Sequence, residues 1–278
     1  MNENRVIRIL SLGAGVQSSA VLLMAIHGEI KPIEHCIFSD TGWEPKHVYS
    51  YLEKLKPLIK KSGIQFHRVQ SYSKNTTGSI KEDALKNDRF AAIPFHTLDV
   101  DGKRSIMRRQ CTSEYKILPV ERRIREIMGL KYKQRYARKY GIVHQLMGIS
   151  TDEVQRAKDS HKPYIFAKFP LLDLGMSRQD CLNWMADKGY ELPKRSACIG
   201  CPYHDNSEWL NLKENHYDEF MEAVDFEKKM QVKLETKFDG KVFLHPSCEP
   251  LETVDFASRM RTKQPSLFDN ECEGMCGV

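Results

Sequence analysis

Three groups of residues in this 278-residue chain have types and spacings suited to chemistry. The first is Ser11-Leu-Gly-Ala-Gly-Val-Gln-Ser-Ser19, which follows a short apolar run from Val6 to Leu10 and opens a helix near Gln17. A strand that feeds a small-residue turn and then a helix leaves backbone N–H groups unpaired at the helix start. The helix dipole favours negative charge at the same place. Gly13 and Gly15 allow unusual φ angles and close approach of a phosphate, and the hydroxyls of Ser18 and Ser19 add donors. The alternative is an ordinary strand–helix turn whose glycines serve packing.

The second group is Arg195-Ser-Ala-Cys-Ile-Gly-Cys-Pro-Tyr-His204. Its Cys198-x-x-Cys201 is a metal-ligand spacing, since two thiolates on one turn can grip one ion or two irons of a cluster. Arg195 and nearby basic residues favour the thiolate forms. A structural zinc on Cys198, Cys201, His204 and one further cysteine is an alternative, as are free thiols. The third group is the tail, Glu271-Cys-Glu-Gly-Met-Cys276, where Cys272 and Cys276 could be a nucleophile pair, cluster ligands or a frayed end. In a chain expected to be non-secreted, eight cysteines point to metal ligands or reactive thiols rather than disulfides. Cys36 and Cys181 fall on an apolar strand and helix and read as buried, inert thiols.

The elements that must position these groups alternate. Val6 to Leu10, Ile33 to Phe38 and Ile64 to Val69 read as strands. Helices from about Ser18 to His27 and from Pro45 to about Lys61 separate them, the second with Val48, Tyr51, Leu52, Leu55 and Leu58 at helical spacing. Short connections in this order predict an α/β fold built on a doubly wound parallel sheet, with ligands at the carboxyl ends of the strands. Ser11–Gly15 and Asp40–Gly42 both fall there. Residues 71–108 read as an irregular polar loop or lid. A helix capped by Thr112 and kinked or started by Pro119 follows. Beyond it come a strand from Ile142 to Ile149, a polar turn from Ser150 to Arg156, a strand from Tyr164 to Phe169 that runs on through Pro170–Asp173 as it leaves the core, and a helix capped by Ser177 and ended at Gly189. From Glu191 the composition shifts, which divides the chain into a nucleotide-type domain at 1–190 and a cysteine-containing helical region and tail at 191–278. That second region opens with one long charged helix from Ser207 to about Lys237.

No run of about 18 apolar residues is present, so a membrane-spanning helix is not expected. The start of the chain lacks the layout of a signal peptide, which makes a cytoplasmic location the expectation. The net charge of +6 is unevenly placed. Between Lys103 and Lys139 stand thirteen Lys/Arg against three Glu, with tyrosines interleaved. Such a segment suits a polyanion, either nucleic acid or a phosphate-rich small ligand, or it is a solvated helix face.

Ser11-Leu-Gly-Ala-Gly-Val-Gln-Ser-Ser-Ala20, followed by a strand ending Ser39-Asp-Thr-Gly-Trp43, resembles the PP-loop adenine-nucleotide α-hydrolase superfamily (HUP-type folds), and within it the PAPS reductase family. The resemblance continues through Arg109-Gln-Cys-Thr-Ser-Glu-Tyr-Lys-Ile-Leu-Pro119, Gly148-Ile-Ser-Thr-Asp-Glu-Val-Gln-Arg156 and Phe169-Pro-Leu-Leu-Asp173, so it covers residues 5 to about 205. It implies that Ser11, Gly13, Gly15, Gln17, Ser18 and Ser19 hold a phosphate of ATP or a related adenine nucleotide. Asp40, Thr41 and Gly42 would then lie beside the nucleotide, and Gly148 and Ile149 would flank its adenine–ribose part. Arg109, Lys116 and Arg156 are the expected phosphate clamps, with Asp152 and Glu153 as metal or acid–base candidates.

Iron–sulfur members of the family carry a Cys-Cys pair followed at a distance by Cys-x-x-Cys. By that resemblance Cys111, Cys198 and Cys201 would ligate a [4Fe-4S] cluster, with Cys248, Cys272, Cys276 or His204 as the fourth ligand; zinc is the alternative. The family's ATP-cleaving members place an Asp where this chain has Gln17, and Gln17 suits the sulfonucleotide-reductase form of the loop. Against a reductase, the acidic residue such enzymes tend to carry soon after the Asp-Thr-Gly turn is absent from Pro45-Lys-His-Val48. Two activities follow as expectations. One is ATP- and Mg²⁺-dependent adenylation of an acceptor with pyrophosphate release, leading to sulfur transfer or nucleic-acid modification from a sulfur donor. The other is reduction of a sulfonucleotide to sulfite through Cys272, regenerated by a thioredoxin-like partner. A nucleotide-sensing module without turnover is the non-enzymatic alternative.

Overall fold

A computed structural model describes residues 5–72, 76–86 and 92–260. Cys272 and Cys276 lie outside the described residues. In chain order the elements begin β1 (Val6–Leu12), α1 (Val16–Ile26), β2 (His35–Asp40), α2 (Lys46–Lys61), β3 (Gln65–Gln70), α3 (Ile80–Lys86), β4 (His96–Asp99) and β5 (Arg104–Ile106). They continue with α4 (Leu118–Ile127), β6 (Ile142–Met147), β7 (Ile165–Lys168), α5 (Pro170–Asp173), α6 (Arg178–Asp187), α7 (Asn206–Asn215), α8 (Tyr217–Leu234), β8 (Gly240–Phe243) and α9 (Phe256–Met260).

Five strands form a wholly parallel sheet in the order β3-β2-β1-β6-β7. Period-two alternation along β1 decides which layer each side chain joins. Ile7 and Ile9 pack with Val120 and Ile124 of α4, while Leu10 and Leu12 pack with α1, α2 and α6. Helices therefore cover both faces, the arrangement of a mixed α/β fold with a doubly wound parallel sheet. All six residues of β2 are buried, as a central strand in such a sheet requires. The sheet order reverses beside β1, and both the β1–α1 loop and the end of β2 open at that switch point.

A second apolar core lies beyond the strand ends. Phe95, Trp209, Phe220, Phe226, Met230 and Phe256 fill it, with Trp43 and Tyr115 reaching in from the parallel-sheet side. An antiparallel sheet in the order β5-β4-β8 borders it. The segment 71–108, read as an irregular lid, thus contains α3 and the β4–β5 hairpin. Its strands were hidden because they are only four and three residues long and β4 takes its other partner from far along the chain. The expected single helix from Ser207 is two, α7 and α8, broken at His216 (φ −139°, ψ 50°). No Gly or Pro marks that break; it exists because Trp209 and Phe220 must both reach the second core. Thr112 makes no side-chain cap hydrogen bond, since its φ −61° and ψ −48° already put it inside a helical run. A π-helical turn, Ser113–Ile117, precedes α4 there. The Ser177 cap is present and forms a reciprocal capping box with Asp180. Pro170–Asp173 is a helical turn rather than an extension of the strand. Among the described residues no helix is long and apolar enough to cross a membrane.

Candidate functional site

The β1–α1 loop has an open helix start. Gly15 is the N-cap of α1, no side chain caps the first turn, and no acidic residue stands in it. A Cβ built on Gly15 would meet nothing within 4 Å, so the glycine is not required by protein packing. The left-handed residue of the turn is Ala14 (φ 58°), and neither Gly13 nor Gly15 adopts a positive φ, contrary to the expectation for both. The two serines also differ from the expected pair of outward donors. Ser18 Oγ accepts from Gly13 N at 3.1 Å and faces the Gly15 carbonyl at 3.3 Å, which pins the loop. Ser19 is fully buried, so its hydroxyl does not face outward. What the loop offers an anion is therefore main-chain N–H groups and the helix dipole. Ser11, lower in the turn, is buried against Gln145, whose Nε2 donates to its Oγ at 2.8 Å.

Gln17 is buried and aims its amide at Glu153 Oε2 (3.4 Å) and Ser150 Oγ (3.5 Å). Arg156 is ion-paired with Glu153. Asp152 accepts from Arg178 N at 2.5 Å at the start of α6, which gives it a capping role. Ile149 is wholly buried. At the end of β2, Asp40 is also wholly buried and accepts five hydrogen bonds. Gly42 N (2.8 Å) and Tyr49 Oη (2.9 Å) reach Oδ1, while Gln70 Nε2 (3.1 Å) and two nitrogens of Arg68 (2.9 and 2.5 Å) reach Oδ2. Asp40 thus organises the turn, and the side chain beside it, Thr41, faces the cysteine-lined pocket.

Thr41 Oγ1 donates to Glu44 Oε1 at 2.8 Å and lies 3.1 Å from Cys198 Sγ, which is itself 3.7 Å from Glu44 Oε1. Cys111, Cys198 and Cys201 line one pocket together with Thr41, Arg109 and Lys116, around a narrow space of about 30 Å³. Two of the three expected phosphate clamps and three expected metal ligands are brought together here. Arg156 is not on this lining. Arg109 stacks over Tyr203 at 5.1 Å, and Lys116 is buried on the π-helical turn. Cys248, one of the expected fourth ligands, is not on this lining: its Sγ faces the Thr97 carbonyl at 3.6 Å beside the second sheet, and burial pushes its thiol pKa up. Among the described residues no three His, Cys, Asp or Glu side chains stand close enough together to hold one metal ion.

The Cys198–Cys201 turn is braced from both sides. His204 Nε2 bonds the Cys198 carbonyl at 2.9 Å, so that ring serves the backbone. Glu208 contacts His204 and pairs with Arg195 at 2.5 Å. Burial would raise the Glu208 pKa, but His204, Arg195 and the Asp205 amide hold it down to about 2. Burial raises the thiol pKa of Cys36, and that of Cys181 to about 12, in keeping with inert roles.

No protein-family model matches the chain, and no curated protein sequence does. Solved structures similar to it at a distance include a reductase and a thiolase. One is phosphoadenylyl-sulfate (PAPS) reductase from Candida auris in a phosphate complex, with 15% identity, covering 69% of this chain and 76% of that one at a TM-score of 0.42. The other is U34-tRNA thiolase NcsA from Methanococcus maripaludis with its [4Fe-4S] cluster, with 14% identity, covering 95% and 83% at a TM-score of 0.43.

Sequence reasoning missed Glu44 and Trp43. Glu44 directly follows Trp43 and is buried at the thiol pocket, one place before the Pro45-Lys-His-Val48 stretch searched for an acid. Trp43 forms a floor under the cysteine turn: a Cβ on Gly200 would stand 2.1 Å from its ring, and Ile199 N donates to its carbonyl at 3.0 Å. Gly148 has a similar reason. A Cβ there would lie 2.5 Å from Ser18 N and 2.7 Å from Gln17 C, within the first turn of α1. Because that neighbour is backbone, Gly148→Ala is expected to cost about 2 kcal/mol of stability, in the range of overpacked cores. It should also displace the β1–α1 loop and weaken any ATP binding there. Urea unfolding and calorimetric titration with ATP measure the two effects.

Proposed function

We propose that this chain is an enzyme that binds ATP with Mg²⁺ at the β1–α1 loop and couples it to sulfur chemistry at Cys111, Cys198 and Cys201. The observation that carries the reading is the seating of the cysteine turn on the phosphate-type loop. Ser196 Oγ donates to the Gly13 carbonyl, and Cys198 Sγ lies 3.1 Å from Thr41 Oγ1 at the end of the neighbouring strand. The uncapped start of α1, with nothing near a Gly15 Cβ, supports a phosphate there.

In this reading an acceptor oxygen attacks the α-phosphorus of ATP, the bond to the β-phosphate oxygen breaks, and pyrophosphate leaves. A sulfide sulfur then displaces AMP from the activated acceptor, or the outer sulfur of a cysteine persulfide does so and a second cysteine thiolate cleaves the remaining S–S bond, leaving a disulfide. Arg109 and Lys116 carry positive charge toward the developing phosphate charge. Glu44 Oε1, 3.7 Å from Cys198 Sγ, is placed to hold the thiol proton. Three soft thiols reaching one wall from two separate segments suit an iron–sulfur cluster, which spreads its thiolates over different irons; zinc needs all its donors around one ion. Such a cluster, held by Cys111, Cys198 and Cys201, would supply a soft site for sulfide.

The full-length protein, incubated with Mg²⁺, ATP and bulk RNA or DNA, is expected to release pyrophosphate. Cys198→Ser should keep ATP binding while sulfur incorporation falls to background. Absence of both nucleotide binding and pyrophosphate release in the wild type would sink the reading. Gln17 favours a second one, sulfonucleotide reduction, because its neutral amide faces Ser150 and Glu153 where ATP-cleaving relatives carry an acid. Sulfite production that disappears in Cys272→Ser would select it.

A further inference from the structure

A long groove outside the thiol pocket is not used by that chemistry. Its outer part encloses 970 Å³ between α4, the 132–136 segment and Tyr164. An inner part of 520 Å³ shares Gln70, Ser71, Tyr72, Pro119 and Arg122 with it and adds Arg68. Arg68 and Gln70 are the side chains that hold Asp40, so the groove's inner end abuts the residue next to Thr41. Seven Lys/Arg against three Glu line the two parts together. Carboxylates do not neutralise the lining: Arg68 is paired with Asp40, Glu126 is shared by Arg122 and Arg123, and Glu121 is 3.4 Å from Lys162, so that with Glu114 seven cations meet four carboxylates.

Aromatic faces are exposed along the same path. Tyr132 is 82% and Tyr72 79% accessible, the two most exposed large apolar side chains among the described residues. Each carries a cation beside its ring, Lys133 at 5.5 Å and Arg122 at 5.3 Å. Lys133 adopts φ 58°, an uncommon conformation for a residue with a side chain, between Tyr132 and Gln134. Behind them Tyr136 and Tyr164 pack ring to ring at 4.7 Å as a fixed wall, with Arg125 bonded to Tyr164 Oη at 3.2 Å. A solvated basic face needs no exposed tyrosines. A groove for a mononucleotide would not need to continue past one base and its phosphates. Cations that track a backbone, alternating with open ring faces, are what unpaired bases require, whereas duplex bases are already stacked on one another.

We propose that this groove binds single-stranded nucleic acid, its bases stacking on Tyr72 and Tyr132 and its phosphates lying along Arg122, Lys133 and Arg135, with one end of the strand directed toward Asp40 and Thr41. The proposal deepens the acceptor side of the ATP-dependent reading and rests on it only for what happens at the inner end.

The test is fluorescence anisotropy of the full-length protein with labelled oligouridylate and oligothymidylate of about 15 nucleotides, and with a blunt duplex of the same length. Single strands should bind more tightly than duplex, and log affinity should fall with log salt at a slope of about −2 to −4. Tyr72→Ala and Tyr132→Ala should each weaken single-strand binding about tenfold, since each removes one stacking face. Lys133→Glu and Arg135→Glu should weaken it and make the salt slope shallower. Tighter binding of the ribo-oligomer points to RNA and of the deoxy-oligomer to DNA; either supports the proposal. Duplex binding as tight as single strand, or tyrosine variants that bind like wild type, overturns it. ATP titration in parallel separates the two readings. Intact ATP binding without oligonucleotide binding removes the groove alone, and the converse removes the nucleotide reading alone. The tyrosines are almost fully exposed, so unchanged circular dichroism in their variants is expected and confirms that the fold is retained.

Discussion

Asp40→Ala is expected to lower the stability of the chain by about 3 kcal/mol, at the lower end of the range for breaking a buried charge pair. Its carboxylate has no solvent exposure and satisfies five donors from four residues. Without it, Gly42 N and the Tyr49 hydroxyl lose their acceptor in a closed site, at roughly 1–3 kcal/mol each unless water enters. The Arg68 side chain is 49% exposed and can turn to solvent, which keeps the loss from being larger. Asp40→Asn should be milder, because its carbonyl can still accept from Gly42 and Tyr49 while its amide faces the Arg68 and Gln70 donors. Urea unfolding of both variants measures the order. A loss below about 1 kcal/mol for the alanine variant would show that water replaces the carboxylate. The same substitution frees Arg68 and Gln70 at the inner end of the groove, so oligonucleotide affinity should also change.

Glu227 governs the second large effect, on pH dependence. It is 2% exposed in α8 and accepts from Leu244 N at 2.6 Å and Leu251 N at 2.7 Å. Burial raises its pKa to about 7, against the lowering by those two amides. For an acid with a raised folded pKa the native state binds more protons than the unfolded one. Stability from this group is therefore fully present below about pH 4.5 and declines as pH rises to about 7. The decline amounts to roughly 3 kcal/mol at 1.36 kcal/mol per pKa unit. Glu227→Gln cannot titrate. Its stability relative to wild type should rise by that amount between pH 4.5 and pH 7.5, even though a single amide oxygen can serve only one of the two N–H groups. Urea unfolding of both proteins across this range reads the difference directly, and parallel curves would remove Glu227 as the source.

Both effects depend on contacts between distant parts of the chain, and this marks where sequence reading stopped. Local pattern was enough for the parallel sheet. The apolar runs at Val6–Leu10, Ile33–Phe38 and Ile64–Val69, the periodic face of α2 and the short connections between them depend on a few neighbouring residues, and the Ser177 box is read within four. The strand–turn–helix at Ser11–Ser19 was legible for the same reason, though its left-handed residue is Ala14 and not a glycine. Period and propensity carry no information about partners far along the chain. The strands β4 and β8 are short and find each other across more than a hundred residues, and the break at His216 has no breaker residue. The approach of Gly148 to α1 and of Gly200 to Trp43 was likewise invisible, because nothing in a glycine says which surface it admits.

The candidate site divides along the same line. Spacing alone made Cys198-x-x-Cys201 a candidate, and motif resemblance added Cys111, Arg109 and Lys116. Only folding put all five on one pocket with Thr41, placed Glu44 against Cys198, and turned Cys248 toward Thr97. A basic count between Lys103 and Lys139 could not show that some of these cations line a groove beside the exposed rings of Tyr72 and Tyr132; only folding brings them together. The types of chemistry available were written locally, in side chains and their near neighbours. Which of them meet was decided by the second core, since burying Trp43, Trp209, Phe220 and Phe226 together draws the cysteine turn onto the ends of β1 and β2.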